Sequence, residues 1–236
     1  MKKILVSMPF TIISCVIFCL LAAGCAQQEE PKAFPWNPNL KVYRYQDVIK
    51  DDLWKVRSTG TPLTGRVQHK RMELEFKDGK RHGRYKKYYE NGQLHEEGQF
   101  KEGKKHGLSK SYWENGRFET EVHWVDGKSH GPWKYHEKDG HLKITGFFKE
   151  GKRNGPERWY FKSGQISWEG HYKNDKLHGP TKGYFENGKL EAEYHHIDGK
   201  IHGELKFYNK DSTLNRVEEW ENGTRIKIKW EVPKAN

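Results

Sequence analysis

A block of 24 residues dominates the sequence and recurs in register, without insertion, to about residue 220. Its clearest copy is KDGKRHGRYKKYYENGQLHEEGQF, residues 77–100. One turn of each copy is headed by His82-Gly83, His106-Gly107, His130-Gly131, Asn154-Gly155, His178-Gly179 and His202-Gly203. The second turn carries Asn91-Gly92, Asn115-Gly116, Asp139-Gly140, Ser163-Gly164, Asn187-Gly188 and the decayed copy Asp211-Ser212. Such a period indicates a repeat architecture, in which one unit cannot bury its apolar face alone.

The two turns predict that each repeat is a pair of antiparallel β-strands. Asn-Gly between alternating residues favours a two-residue type I′ hairpin loop, which needs positive φ at both central positions. The other turn, residues 78–83, carries glycine at both ends and suggests a wider loop with two positive-φ positions. About fourteen strands between residues 69 and 231, roughly 4.8 Å apart, would then form a sheet about 60–70 Å long. The predicted fold is all-β: an elongated, single-layer antiparallel β-hairpin array.

A two-residue Asn91-Gly92 loop would fix the register, with Tyr89 opposite Leu94, Tyr88 opposite His95 and Lys86 opposite Glu97. Three columns are then expected on one apolar face. The first is Tyr89, Trp113, Glu137, Phe161, Phe185 and Asn209. The second is Leu94, Phe118, Leu142, Ile166, Leu190 and Leu214. The third is Phe76, Phe100, Trp124, Phe148, Tyr172, His196 and Trp220.

The opposite face is expected to carry paired charges. A basic column consists of Lys86, Lys110, Lys134, Arg158, Lys182 and Lys206. It meets Glu97, Glu121, Thr145, Glu169, Glu193 and Val217, so four of the six cross-strand pairs join opposite charges. Exposed pairs of this kind contribute only about 0.2–1 kcal/mol each. Exchange of Lys110 and Glu121 should therefore be nearly neutral for stability, whereas each single charge reversal should cost about a few tenths of a kcal/mol or more.

An aromatic column lies on the same charged face in this register: Tyr88, Tyr112, His136, Tyr160, Tyr184 and Tyr208. Two explanations are open. Lysine stems could pack over the rings, or the rings could form an exposed stripe that a partner covers. We take the tyrosines together with the basic column as the candidate partner-binding surface.

The first residues have the composition of a secretory signal, with Lys2 and Lys3, an apolar run and then small residues. The sequence LAAGC resembles the lipobox of bacterial lipoproteins, with Cys25 as the lipidated residue. The alternative is an uncleaved membrane anchor, since the run is nearly long enough to span a bilayer. Both interpretations place the protein in the cell envelope. The resemblance implies a lipid anchor in the membrane, the outer one if the cell has two.

We divide the chain into a signal peptide (1–24), a lipidated, proline-rich tether (25–40), an N-terminal cap over the open sheet edge (41–68), the repeat array (69–231) and a tail (232–236). The last strand of the array is expected at TRIKIKWE, residues 224–231. The only cysteines are Cys15, Cys19 and Cys25, so the array has no thiol for a disulfide, a metal site or nucleophilic catalysis.

Enzymatic activity is not expected. The repeated loop histidines lie two strands apart, about 10 Å, whereas zinc ligands lie about 2.0–2.1 Å from the metal. No separate Ser, His and Asp set stands out, and neither a metal nor another cofactor is expected.

The charge balance favours anionic partners. Without Lys2 and Lys3, 41 basic residues face 32 acidic ones, a net charge of +9. Acidic lipid headgroups, wall polymers or an acidic protein are the candidates. Export of the chain argues against nucleic acid.

The segments FKDGKRHG, FKEGKKHG, FKEGKRNG and YKNDKLHG, joined to YYENG and YFENG, resemble the MORN repeat. The period and the leading LTGRV look like the YwqK-like antitoxin branch of bacterial MORN proteins. Four positions depart from the pattern: Asp175, Asn154, Glu137 and Asn209. The resemblance implies a single-layer hairpin array that binds proteins or membranes. We therefore expect a non-catalytic, lipid-anchored scaffold or immunity-like module with a protein partner. The alternative is an adaptor that binds anionic lipid headgroups or wall polymers through its basic face.

Overall fold

The computed structural model describes residues 39–50 and 52–233. The N-terminal elements are β1 (Val42–Arg44), a 3-10 helix (Tyr45–Asp47), β2 (Val48–Lys50), β3 (Trp54–Val56) and β4 (Gly65–His69). The repeats form β5 (Met72–Lys77), β6 (Lys80–Tyr88), β7 (Leu94–Lys101), β8 (Lys104–Lys105), β9 (Gly107–Tyr112), β10 (Phe118–Val125), β11 (Lys128–His136), β12 (Leu142–Lys149), β13 (Lys152–Arg153), β14 (Gly155–Tyr160), β15 (Ile166–Lys173), β16 (Lys176–Leu177), β17 (Gly179–Tyr184), β18 (Leu190–Ile197), β19 (Lys200–Ile201), β20 (Gly203–Tyr208), β21 (Leu214–Glu221) and β22 (Thr224–Glu231).

The repeats form one long antiparallel sheet in which each strand pairs with the strands next to it in sequence. Each of β8, β13, β16 and β19 is separated from the following strand by one residue, so β5–β22 correspond to fourteen strands side by side. The predicted all-β hairpin array is confirmed. At the N-terminal end β1 pairs parallel with β4, and β2 and β3 form a separate two-stranded sheet.

The turn expected to be wide is the tight one. Asp78 and Gly79 have φ values of 51° and 76°, and the flanking Lys77 and Lys80 are directly paired. Positive φ at both central residues of a two-residue loop is the type I′ signature. The same pairing recurs at every copy, as at Lys101 and Lys104. The prediction of a wide loop was wrong because the His-Gly dipeptide lies in the following strand, where it forms a bulge.

The Asn-Gly turn is the longer one. Tyr89 N–H donates to the Gln93 carbonyl at 2.8 Å, and Gly92 N–H donates to the Tyr89 carbonyl at 3.1 Å. Gly92 has a φ of 84°, whereas Asn91 is not among the positive-φ residues. This combination is a three-residue loop, a type I turn followed by a left-handed glycine. The predicted two-residue type I′ loop is therefore wrong at this position.

The asparagine is used for its side chain instead of for left-handed backbone. Asn91 Oδ1 accepts a hydrogen bond from Gln93 N–H at 2.9 Å, and Asn91 Nδ2 donates to the Glu114 carbonyl of the next repeat at 3.1 Å. Asn115 repeats both bonds, with Arg117 and Lys138. Each asparagine therefore closes its own turn and ties it to the following one.

The extra loop residue changes which side chains share a face. Lys86 lies opposite Glu97 as predicted, but Tyr88 lies opposite Leu94 and not His95. Tyr88 is two residues from Lys86 and shares its face, and the register shift that places Leu94 opposite Tyr88 brings Leu94 onto that face too. Phe100, three residues beyond Glu97, lies on the other face. The prediction that the Leu94 and Phe100 columns share one apolar face was wrong.

We call the side with Lys86, Glu97 and Tyr88 the charged face and the side with Phe100 the core face. The core face carries a second column that composition does not reveal: Tyr85, Ser109, Trp133, Glu157, Thr181 and Leu205. All but Trp133 are buried. Glycines lie opposite the larger members, Gly98 beside Tyr85 and Gly146 beside Trp133.

The apolar core is concentrated at the N-terminal end of the sheet. Its members are Val48, Leu63, Val67, Leu74, Phe76, Tyr85 and Phe100. Leu63 is completely buried, and the Trp54 and Phe76 rings lie 5.3 Å apart. Full burial of an aliphatic or aromatic side chain contributes about 1.5–3 kcal/mol. The first repeat is therefore stabilised by the residues before it, whereas later repeats depend more on contacts with their neighbours.

Candidate binding surfaces

The charged face carries a continuous charge ladder across the sheet. Each ladder residue pairs with its counterpart on both neighbouring strands, so the signs alternate along the row. In order, the ladder is Glu73, Lys86, Glu97, Lys110, Glu121, Lys134, Thr145, Arg158, Glu169, Lys182, Glu193, Lys206 and Val217. The structure thus brings together the whole predicted basic column and the glutamates expected opposite it.

The ladder neutralises its own charges. Lys86 Nζ lies 3.9 Å from the Glu97 carboxylate, and Lys206 Nζ lies 4.0 Å from that of Glu193. Arg158 Nε donates to Glu169 at 3.2 Å. These basic side chains therefore leave little uncompensated charge on this face for an anionic polymer.

The tyrosine column lies beside the ladder and is tied to it. Its hydroxyls donate to the glutamate of the preceding hairpin, in the pairs Tyr88–Glu73, Tyr112–Glu97, Tyr184–Glu169 and Tyr208–Glu193, at 2.7–3.2 Å. The Tyr160 hydroxyl meets that of Thr145 at 3.2 Å. Burial and the bond to Glu97 raise the pKa of Tyr112 to about 12. The rings are half-buried and held in fixed positions.

The corrected register places the Leu94 column next to these rings. Tyr112 lies opposite Phe118, with ring centroids 5.9 Å apart, and Phe118 lies 5.0 Å from the His136 ring. The charged face therefore has an aromatic and aliphatic stripe along the Asn-Gly turns, beside the neutralised ladder. Sequence reasoning missed this neighbour, since Asn-Gly is compatible with both loop lengths.

The core face holds a buried ionic cluster that sequence reasoning also missed. Glu96 accepts hydrogen bonds from Tyr85, Lys87 and Lys105, each at 2.6 Å. Burial alone would raise the pKa of Glu96, but these three bonds outweigh it and lower the pKa to about 2. Burial and Glu96 raise the pKa of Tyr85. A permanently ionised carboxylate beside a permanently protonated phenol indicates a structural cluster.

Three of the five loop histidines, His82, His106 and His178, lie near a carboxylate of the following tight turn. His82 Nδ1 lies 3.1 Å from the Glu102 carboxylate of the next turn, and His178 Nδ1 lies 3.5 Å from Asp198. Where Asn154 replaces the histidine, the following turn has Asn174 in place of the acid. Within residues 39–50 and 52–233, no group of three or more His, Cys, Asp or Glu side chains could hold a metal ion.

The predicted signal peptide, the tether up to residue 38 and the lipidation site Cys25 lie outside the described residues. In the part of the chain that the structure describes, no helix is both long and apolar enough to cross a membrane.

Comparison with known families identifies the repeat. Residues 81–102, 105–126, 153–174 and 177–198 match the MORN repeat variant. Each matched segment is one hairpin closed by the longer loop. The two unmatched copies, residues 129–150 and 201–222, have the same strand pairing. They contain Glu137 and Asn209, where other copies have an aromatic residue. Four repeats of this chain thus match a repeat family that is generally non-catalytic, and such repeats suggest a binding role.

No curated protein matches the chain. A solved structure described as "Crystal structure of GtfA/B complex bound to UDP and GlcNAc" is similar over 48% of this chain and 22% of its own, with 13% identity and a TM-score of 0.21. A similarity at that score gives no information about function.

Proposed function

We propose that this protein is a non-catalytic binding module that holds a protein partner on its charged face. The supporting observation is the stripe formed by the tyrosine and Leu94 columns beside the self-neutralised ladder. Fixed, half-buried aromatic side chains are typical of protein interfaces, since little side-chain entropy is lost when a partner covers them. The ladder lysines would add specificity at the border of that interface.

The candidate contact residues on this face are those the sequence singled out, with the Leu94 column added. The resemblance to the YwqK-like antitoxin branch suggests an immunity or antitoxin-like role for such an interface. The alternative is an adaptor for anionic headgroups or wall polymers. The neutralised ladder disfavours that alternative on this face, because each lysine already faces a carboxylate or hydroxyl.

The experiment compares matched tyrosine pairs on the two faces. Tyr112→Ala with Tyr160→Ala removes two charged-face rings, and Tyr135→Ala with Tyr194→Ala removes two half-buried core-face rings. The full chain is expressed with a photo-crosslinker on the charged face, and captured proteins are quantified by mass spectrometry. We expect the charged-face pair to lose one captured protein at least tenfold, and the control pair to retain it. Equal loss in both pairs, after correction for folded fraction, would reject the proposed interface.

The lipid anchor is tested at Cys25. Cys25→Ser should give a protein that is no longer processed to the mature, membrane-bound form, because the acyl chains have no attachment site. Fractionation and mass spectrometry of the N-terminal peptide measure this. A mature-sized variant that stays in the membrane fraction would contradict lipidation at Cys25.

A further inference from the structure

The tight hairpin turns form a basic row along one side of the sheet. We call this row the turn rim; its first six turns are residues 77–80, 101–104, 125–128, 149–152, 173–176 and 197–200. These turns contain ten lysines and six acidic residues. The six Asn-Gly-type turns, at 90–93 and every 24 residues onward, contain five basic and five acidic residues. Among these twelve turns, the excess positive charge is therefore on one side of the sheet.

The rim lysines differ from those of the ladder because their cross-strand partners are other lysines or apolar residues and not carboxylates. Among the ion pairs of residues 39–50 and 52–233, only Lys80 of these ten lysines takes part, with Glu102 at 3.1 Å. The lysine of one tight turn also lies close to the backbone of the next tight turn along the rim. A Cβ on Gly127 would lie 3.6 Å from the Lys104 Cβ, and one on Gly151 would lie 3.9 Å from the Lys128 Cβ. The Lys104 and Lys128 stems thus lie against the glycine of the next turn, and Lys200 lies in the same way against Gly223.

The rim is concave at one place. A hollow of about 790 Å³ is lined by Lys128, Lys149, Lys152 and Lys173, with Glu150 as its one acidic lining residue. Asn154 and Asn174 also line it. Asn154 occupies the position of the histidine in the other repeats, and Asn174 occupies a position that is acidic in most repeats. The acid of this turn is Asp175 instead; its side chain accepts a hydrogen bond from Arg153 N–H at 2.8 Å and does not line the hollow.

We propose that this hollow and the adjoining rim bind a linear phosphate polymer. Lysine ammonium groups are compact point charges with three donors, suited to phosphate oxygens. Equivalent lysines recur about every 10 Å, the width of two strands, so the rim offers a line of positive charge to an extended polyanion. A flat lipid surface would contact the turn tips but would not enter the hollow. This surface is separate from the charged face, so its test does not depend on the proposed protein interface.

The test uses the full chain and long-chain inorganic polyphosphate as the probe. Neutralising four phosphates should give a slope of log affinity against log salt of about −3, at about −0.7 per phosphate. Lys149→Gln with Lys173→Gln should reduce the slope by about 1.4 and the affinity in 0.1 M salt by about 25-fold. Lys110→Gln with Lys182→Gln is the matched control, because it removes the same charge from the ladder. The control should bind polyphosphate like the unmodified chain.

Three outcomes would overturn the proposal. Equal loss in both double variants would show a diffuse charge effect, and unchanged binding by Lys149→Gln with Lys173→Gln would place the site elsewhere. Stronger binding to phosphatidylglycerol vesicles or to polyglutamate than to polyphosphate, at equal charge concentration, would assign the rim to a membrane or to an acidic protein. Circular dichroism of each variant reports whether the sheet is intact, so a loss is scored only for folded protein.

Discussion

The charge ladder makes exchange of Lys110 and Glu121 destabilising, which revises the expectation for an isolated pair. Lys110 is paired with both Glu97 and Glu121, and Glu121 is paired with both Lys110 and Lys134. The exchange keeps the contact between positions 110 and 121. It also places a glutamate beside Glu97 and a lysine beside Lys134, so two attractive contacts become repulsive.

The cost follows from the number of contacts reversed. Each attractive cross-strand pair contributes about 0.2–1 kcal/mol, so losing two costs about 0.4–2 kcal/mol before any added repulsion. The ladder side chains are about one-third exposed, 34% for both Lys86 and Glu97, and solvent screening keeps the cost near 1 kcal/mol. Exchange of Glu121 and Lys134 reverses only one contact, the one between positions 110 and 121, because Lys134 has the neutral Thr145 on its other side. That exchange should cost about half as much.

Urea denaturation of the full chain in low and high salt measures both exchanges. The difference between them should shrink at 1 M salt, where the screening length falls to about 3 Å. A double-mutant cycle at positions 110 and 121 should give a coupling energy of a few tenths of a kcal/mol. If the Lys110/Glu121 exchange is no more destabilising than the Glu121/Lys134 exchange, the alternating ladder is not formed.

Two further predictions concern the core face. Gly146→Ala should destabilise the protein by about 1–3 kcal/mol in the same denaturation assay, because the added Cβ would overpack against Trp133 Nε1. Gly183→Ala is the control. Its Cβ would have no atom within 4 Å, so this substitution should be neutral or slightly stabilising. The pKa of Glu96 is lowered to about 2 from its usual 4.5, so its ionised form contributes stability above pH 4.5 that is lost as the pH falls toward 2. Glu96→Gln should therefore flatten the dependence of unfolding free energy on pH between these values. An unchanged dependence would show that the cluster is not formed.

The sequence was sufficient for the period, the number of strands and the pairing of Lys86 with Glu97, because these depend on repetition and alternation alone. It did not distinguish the two turns. Glu102 and Glu150 occupy left-handed positions, with φ near 50°, although glutamate has no preference for that region. Asn91, which does have that preference, is used for its side-chain hydrogen bonds. Residue statistics therefore assigned the loop lengths in reverse, and the reversed loops misplaced the Leu94 column.

The core-face column was missed for a different reason. Ser109 and Glu157 are buried at positions equivalent to Tyr85, so no apolar periodicity marks the column. What decides burial there is the size of the opposing residue, as with Tyr85 and Gly98. The candidate tyrosines and lysines were placed on one face correctly, because that placement depends only on alternation between Lys86 and Tyr88. Their hydroxyl–carboxylate bonds join different hairpins, and spacing within one repeat does not contain that information.

The ladder pairs join neighbouring strands, and the asparagine bonds and stacked lysine stems join neighbouring turns, at spacings that recur every 24 residues. A duplication or deletion of one whole 24-residue unit would therefore preserve every type of contact and leave both ends of the sheet unchanged. Unequal recombination within the gene can then lengthen or shorten the array by whole repeats, and each protein product can still fold. An insertion or deletion of another size within a strand would shift the pairing of that strand with both of its neighbours. Natural variants of this protein should accordingly differ in length by multiples of 24 residues.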